Sequence, residues 1–127
     1  MALGAAGCVA PRPAGEVAGA PNMIRTDLYL GLSEPDGAVV TDGEFRAFVT
    51  DVVTPRFPQG LTVLSGDGQW QDPRTGQVTR EPCRMLILLH PAGPAADGAI
   101  EAIRTAYQRQ FHQQSVLRAD ESQRVSF

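Results

Sequence analysis

The chain of 127 residues contains no lysine, so all 11 of its basic residues are arginines. They are scattered and outnumbered by 14 acidic residues, for a formal net charge of -3. A nucleic-acid binder concentrates basic residues in a stripe or patch, and with none visible, no nucleic-acid partner is expected. The chain has 2 cysteines and 2 histidines, with no C-x-x-C and no closely spaced histidine pair. That leaves no zinc-type ligand set, and neither a metal nor a cofactor is expected. Long apolar runs are missing too: nothing approaches the roughly 20 residues a membrane-spanning helix needs.

Large apolar residues are nearly absent from the opening stretch, MALGAAGCVAPRPAGEVAGAPNM. Such a composition buries too little surface to offset its ordering entropy. The expectation is a disordered tail over residues 1–22 and a single domain over 23–127, long enough to bury one core. Within the tail, Ala5-Ala6-Gly7-Cys8 resembles the lipobox at which bacterial signal peptides are cut and the cysteine lipidated. Ala5 stands where that motif has a bulky residue, and a charged n-region and long apolar h-region are missing. A Met1 lying inside a longer signal peptide would explain this. The reading is an exported protein of the periplasm or cell envelope, attached to a membrane only through a lipidated Cys8; the alternative is a flexible tail with an ordinary thiol.

What is present is strong patterning. Arg25 to Ser33 alternates, with Leu28, Leu30 and Leu32 on one face and Arg25, Asp27, Tyr29 and Gly31 on the other, which predicts a strand. A turn over Glu34–Gly37 leads to a helix. There Thr41 and Glu44 have capping-box spacing, and Phe45, Phe48, Val49, Val52 and Val53 form an apolar stripe. Pro55 and Pro58 end it. GLTVL and CRMLILLH predict the second and third strands, with Asp72–Gly76 as the turn between them. Pro94 opens a second helix, to about Gln113, with Ile100, Ile103, Tyr107 and Phe111 inward. SVLRA predicts a fourth strand and RVSF a short terminal one. The order β-α-β-β-α-β predicts an α+β, ferredoxin-like sandwich: a four-stranded antiparallel sheet with two helices on one face and a long hairpin between the second and third strands.

With the first and third strands central, Leu28, Leu30 and Leu32 would face the helices together with Met85, Ile87 and Leu89. The open face would then carry Arg25, Asp27, Tyr29, Arg84, Leu86, Leu88 and His90, joined by Val116 and Arg118. A bare face of that kind predicts a covering partner, and a homodimer through the open sheet face is expected. Asp27, Tyr29 and His90 are the candidate catalytic residues, since a carboxylate beside a histidine can orient it as a base. The plainer alternative has His90 at an exposed strand end and Arg25 paired with Asp27. Arg56, Arg80, Glu81 and Arg84 form a second constellation around the hairpin, suited to a small anionic ligand through paired guanidinium donors, or simply neutralised by Glu81. His112, near the end of the second helix, complements its dipole. Cys83 begins an apolar run, as a buried small residue does.

Gly66-Asp67-Gly68 sits two residues before the only tryptophan, Trp70. A phosphate-cradling glycine loop needs a helix directly after it, and none follows. The triplet predicts a bulge or tight turn, with Trp70 as a lid on the sheet, an anchor for a partner, or part of the core.

The segments RTDLYLGLS, VVTPRFPQGLTVLSGDGQW, REPCRMLILLH and SVLRADESQRVSF together resemble a bacterial family known as domain of unknown function 3574, over nearly all of Arg25 to Phe127. The resemblance implies a small exported or lipoprotein-like protein and brings no activity, catalytic residue or cofactor. Positions matching its pattern include Arg25, Tyr29, Gly31, Pro55, Arg56, Phe57, Gly60, Trp70, Arg80, Glu81 and Arg84. Of these, Arg25, Tyr29, Arg56, Trp70, Arg80, Glu81 and Arg84 lack a backbone explanation and are the candidate ligand-binding residues. Cys83 falls where a small residue such as serine is expected, which argues against a thiol mechanism.

Two functions compete. The first is a noncatalytic envelope module that binds a small anionic ligand or a protein partner. The alternative is a small cofactor-free enzyme, of oxygenase or isomerase type, with its site on the open sheet face of a dimer. A purely structural or assembly role, with the hairpin as a docking arm, is a third.

Overall fold

The computed structural model describes residues 22–127; the expected tail, with Cys8, lies outside the described residues but for Asn22, which opens the first strand. Seven elements follow in order: β1 (Asn22–Gly31), α1 (Asp42–Phe48) continued by a π-helical turn (Val49–Val53), β2 (Thr62–Gln71), β3 (Val78–His90), α2 (Pro94–Gln110) and β4 (Leu117–Arg124). The sheet order is β2-β3-β1-β4, antiparallel throughout. This is the ferredoxin-like plan.

Local chemistry explains the helices. Thr41 accepts from the Glu44 amide while the Glu44 carboxylate accepts from the Thr41 amide, a complete capping box. The stripe behind it buries Phe45, Phe48 and Val53, with Val49 and Val52 half-buried against the same core. The last turn widens, the Thr54 amide reaching back to the Val49 carbonyl at 2.8 Å, before Pro55 stops the ladder. Pro94 opens α2, whose Ile100, Ile103 and Tyr107 are buried, with Phe111 just beyond. His112 ends it at a φ of 53°, the left-handed conformation that closes many helices.

The core lies between the helices and one face of the sheet. Phe48, Tyr107 and Phe111 pack edge-on or tilted against one another, with centroids 4.8 to 5.9 Å apart. Leu28, Leu30, Leu86, Leu88 and Val116 complete it from the sheet side. The structure therefore corrects the expected faces of β3. Leu28 stands opposite Leu86, and Thr26 opposite Leu88, so Leu86, Leu88 and His90 face the helices, while Met85, Ile87 and Leu89 look out from the open face. Val116 is buried, and Arg118, opposite Leu28, lies on the helix side. β3 is apolar at every position from Met85 to Leu89, so that run carries no parity, and only the register against β1 decides which half goes inside.

The hairpin is longer than its apolar runs. β2 pairs with β3 without interruption from Thr62–Ile87 to Gln71–Val78, so Gly66-Asp67-Gly68 is plain strand. There is neither a bulge nor a turn at the triplet. The chain reverses at Asp72–Gln77, as expected, with Gly76 at a φ of 74°. β3 pairs with β1 only from Cys83 onward. Residues beyond Gly66 and before Cys83 thus form a two-stranded arm that projects past the sheet.

Candidate functional site

The open face can be read row by row from the register. Leu64, Met85, Tyr29 and Leu117 form one row across all four strands, and Thr62, Ile87, Asp27 and Ala119 the next. Leu89, Arg25 and Glu121 form a third. In the other direction Gly66, Cys83 and Gly31 make a row of small residues. Tyr29, Leu64, Leu89 and Leu117 are each between 41% and 58% exposed, so a largely apolar sheet surface is bare in the single chain.

This surface includes a hollow of about 560 Å³, lined in part by Met23, Leu61, Thr62, Ile87, Leu89 and Phe127. Volumes of this size accept small organic molecules, and a mostly apolar wall with a few polar groups at the edge is the usual lining of such sites. Beside the hollow, in the rows of Leu89 and Ile87, lie Arg25 and Asp27. Arg25 Nε donates to Asp27 Oδ1 at 2.8 Å and Nη2 to Oδ2 at 3.3 Å. That pairing, with Glu121 close by, raises the Arg25 pKa above its ordinary value. Arg25 lies opposite Leu89 in the ladder, which brings this ion pair to the margin of the hollow.

Beneath the sheet, on the helix side, sits a different polar group. Thr26 and His90 are buried. Thr26 Oγ1 lies 2.7 Å from His90 Nε2 and donates to Asp120 Oδ1 at 2.6 Å. The other ring nitrogen, Nδ1, is 2.8 Å from the Pro91 carbonyl. Burial works against the Asp120 charge, but the hydrogen bonds from Thr26 and Arg118 hold its pKa below the usual carboxylate range. Arg118 in turn reaches Asp97 and Glu101 of α2. Burial opposes its charge as well, and these carboxylates with Asp120 more than offset that, leaving its pKa raised. This network joins β1, β3, β4 and α2 on the helix side of the sheet, and at Pro91 it touches a residue that lines the hollow.

The arginines around the hairpin do not converge. Arg84 forms an ion pair with Asp42 at the start of α1, beside a smaller groove of about 310 Å³ that Phe45, Val49 and Val63 also line. Arg56 donates to the Val52 carbonyl at the end of the first helical stretch. Arg80 and Glu81 border a depression on the arm with Asp67. Glu81 Oε1 accepts from the Ser33 amide at 3.3 Å, and among the described residues it pairs with none of the three arginines. Trp70 lies opposite Thr79 far out on the arm and is 56% exposed.

With this geometry in hand, comparison with known proteins places the chain. The family model described as Protein of unknown function (DUF3574) matches residues 25–127. The chain belongs to that family. Two solved structures share the DUF3574 chain's fold. One is a phage SAM lyase in complex with S-methyl-5'-thioadenosine, at 18% identity and TM-score 0.58, covering 81% of this chain and 90% of that one. The other is a phage SAM lyase in the apo state, at 19% identity and TM-score 0.59, covering 80% and 81%. No curated protein matches the chain.

Within this DUF3574 domain, the structure separates the three candidate catalytic residues. Asp27 and Tyr29 share the open face, whereas His90 lies on the helix side, held by Thr26 and Pro91. The expected convergence of a carboxylate, a phenol and an imidazole is not formed. Arg25 and Tyr29 are on the hollow's face, and Trp70 projects on that same face of the arm. The hollow is not legible in the sequence, because the pattern of β3 allows Ile87 and Leu89 to face the core. Nor is the Thr26–His90–Asp120 link, whose members lie up to 94 residues apart. The signal for both was one fact of register. Among the described residues no group of three His, Cys, Asp or Glu side chains forms a metal-binding cluster.

Proposed function

We propose that this domain is a noncatalytic binding module that holds a small molecule on its open sheet face. The apolar or aromatic body of the ligand sits in the hollow, and its polar group meets the Arg25–Asp27 pair. The observation that carries this reading is the hollow of about 560 Å³, with apolar walls and one ion pair at its margin. The solved relatives of the fold include one that holds S-methyl-5'-thioadenosine, a molecule of the same general build. Support for a purely anionic ligand is weaker, since Arg25 and Arg84 already face carboxylates. Removing Asp27's partner would leave that carboxylate without its charge-assisted bonds.

The test is native mass spectrometry of the purified protein, followed by calorimetric titration with S-methyl-5'-thioadenosine and related nucleosides. A retained small molecule, or binding that Ile87→Arg abolishes while the circular dichroism stays native, supports the reading. Failure of the intact protein to bind or retain any small molecule overturns it. A second reading, a cofactor-free enzyme on the same face, draws on Asp27 and Tyr29 lying two positions apart there. It requires conversion of the bound molecule, lost in both Asp27→Asn and Tyr29→Phe. We further propose export to the cell envelope, on the strength of the Ala5–Cys8 motif alone; acylation of Cys8 in the intact-mass spectrum is its test.

A further inference from the structure

The β2 strand of the arm beyond Gly66 has an uncharged face with no core of its own to cover, and β3 adds Thr79 and Glu81 to that face. Successive strand residues alternate between faces, so Leu64, Gly66, Gly68 and Trp70 point to the open-face side. Ser65, Asp67, Gln69 and Gln71 point to the other. A two-stranded ribbon is marginal by itself in water, yet this one carries the chain's single tryptophan at its far end, 56% exposed. At the near end of the same strand, on the same face, lies the hollow, with Thr62 and Ile87 in its wall.

Knob and socket therefore occur on one face of one chain, and they are equally spaced about a row of small residues. In β2 the centre is Gly66, four residues from Thr62 and four from Trp70. In β3 it is Cys83, four residues from Ile87 and four from Thr79. Each arm of this arrangement spans about 13 Å of strand. A two-fold axis in the plane of the interface, perpendicular to the strands and passing over Gly66 and Cys83, brings each Trp70 above the partner's Thr62–Ile87 pair. The same operation sets each Leu64 over the partner's Gly68, where the missing side chain leaves room for it, and each Met85 over the partner's Glu81, the neighbour of Gly68 in the ladder. Shape that matches itself under a two-fold is what an isologous dimer interface requires.

We propose that this protein forms a two-fold dimer through its β2–β3 ribbons, in which Trp70 of each copy roofs the hollow of the other. The roofing role rests on the reading of the hollow as a ligand site; the pairing does not. An indole over a half-open apolar hollow removes ligand and tryptophan from water together, and supplies a ring face for an aromatic ligand to stack on. The overlapping strip is only two strands wide, less than the roughly 800 Å² per partner of a standard interface. A strip this narrow predicts weak association, tightened by ligand.

Trp70 is its own reporter. In the Cys8→Ser protein, raising the concentration through the micromolar range should shift the tryptophan emission to the blue and reduce quenching by iodide. Light scattering should rise from the monomer to the dimer mass over the same range. A short bis-maleimide should join two chains through Cys83, and Cys8→Ser/Cys83→Ala should give no such product. Trp70→Ala, a change at an exposed site off the core, should weaken association at least tenfold with native circular dichroism. A monomeric mass at all concentrations overturns the proposal. So does a dimer that forms undiminished in Trp70→Ala, which uses another surface, or a different protein recovered on the ribbon in place of a second copy. A dimer that passes these tests but neither retains nor binds a small molecule keeps the pairing and removes the ligand reading.

Discussion

Thr26 Oγ1 lies 2.7 Å from His90 Nε2 and donates to Asp120 Oδ1 at 2.6 Å, so one buried hydroxyl joins β1, β3 and β4. It is the polar counterpart of the leucine contacts beside it, and it fixes the end of the sheet nearest the hollow. Thr26→Val keeps the shape and removes both bonds, leaving the His90 ring short of a partner. The expected loss is about 1–3 kcal/mol of stability, read from urea denaturation, with Thr26→Ser recovering most of it.

Acid should unfold this protein by a route that begins at β4. Asp120, held down by Thr26 and Arg118 against the effect of burial, and Glu101, held down chiefly by its hydrogen bond from Arg104, both have depressed pKa values. A carboxylate with a folded pKa below its unfolded value adds stability above the unfolded value and loses it as pH falls through the folded one. The melting temperature should thus hold steady above the ordinary carboxylate range, near pH 4, and fall below it. Asp120→Asn should lower the plateau and flatten the fall. Both side chains are partly exposed, so the effect should shrink in high salt.

Tyr107 connects α2 to the far end of β1. Its hydroxyl donates to the Gly31 carbonyl at 2.6 Å, and burial, with Glu81 and Glu34 adding, raises its pKa. Tyr107→Phe removes the bond and keeps the ring packing, for an expected loss of about 1 kcal/mol. Phe48→Ala, which empties the centre of the aromatic cluster, should cost about 3–5 kcal/mol. A calorimetric melt should show the two several degrees apart.

Gly31 is a place where a side chain would collide. A Cβ there would meet the Glu81 carboxylate and come within 3.0 Å of Gln113 Oε1. Both are ends of flexible side chains, so Gly31→Ala should be tolerated at the expense of the bond from the Ser33 amide to Glu81. Glu81→Ala should relieve the collision. In a double-mutant cycle the two losses should be less than additive, by about 0.5 kcal/mol or more; strict additivity would show that Glu81 does not pack over Gly31.

Much of this molecule was legible in the order of its residues. The capping box at Thr41 and Glu44, the proline at the start of α2, the leucine alternation of β1 and the turn at Asp72–Gly76 are local events. Each is decided by a few neighbouring residues and their backbone chemistry, and together they specify the β-α-β-β-α-β order and the ferredoxin-like sheet. The face of β3 was not local. Met85, Leu86, Ile87, Leu88 and Leu89 are all apolar, so either parity buries greasy side chains, and only pairing with Leu28 and Thr26 of a strand more than 50 residues away places Leu86 and Leu88 inside. That one choice of register took His90 away from Asp27 and Tyr29, gave it to Thr26 and Asp120, and opened a hollow where a core had been expected. Side chains on a strand alternate with period two, so a one-residue difference in register exchanges every residue between core and surface; the sequence settled which strands exist, and the tertiary structure settled which way they look.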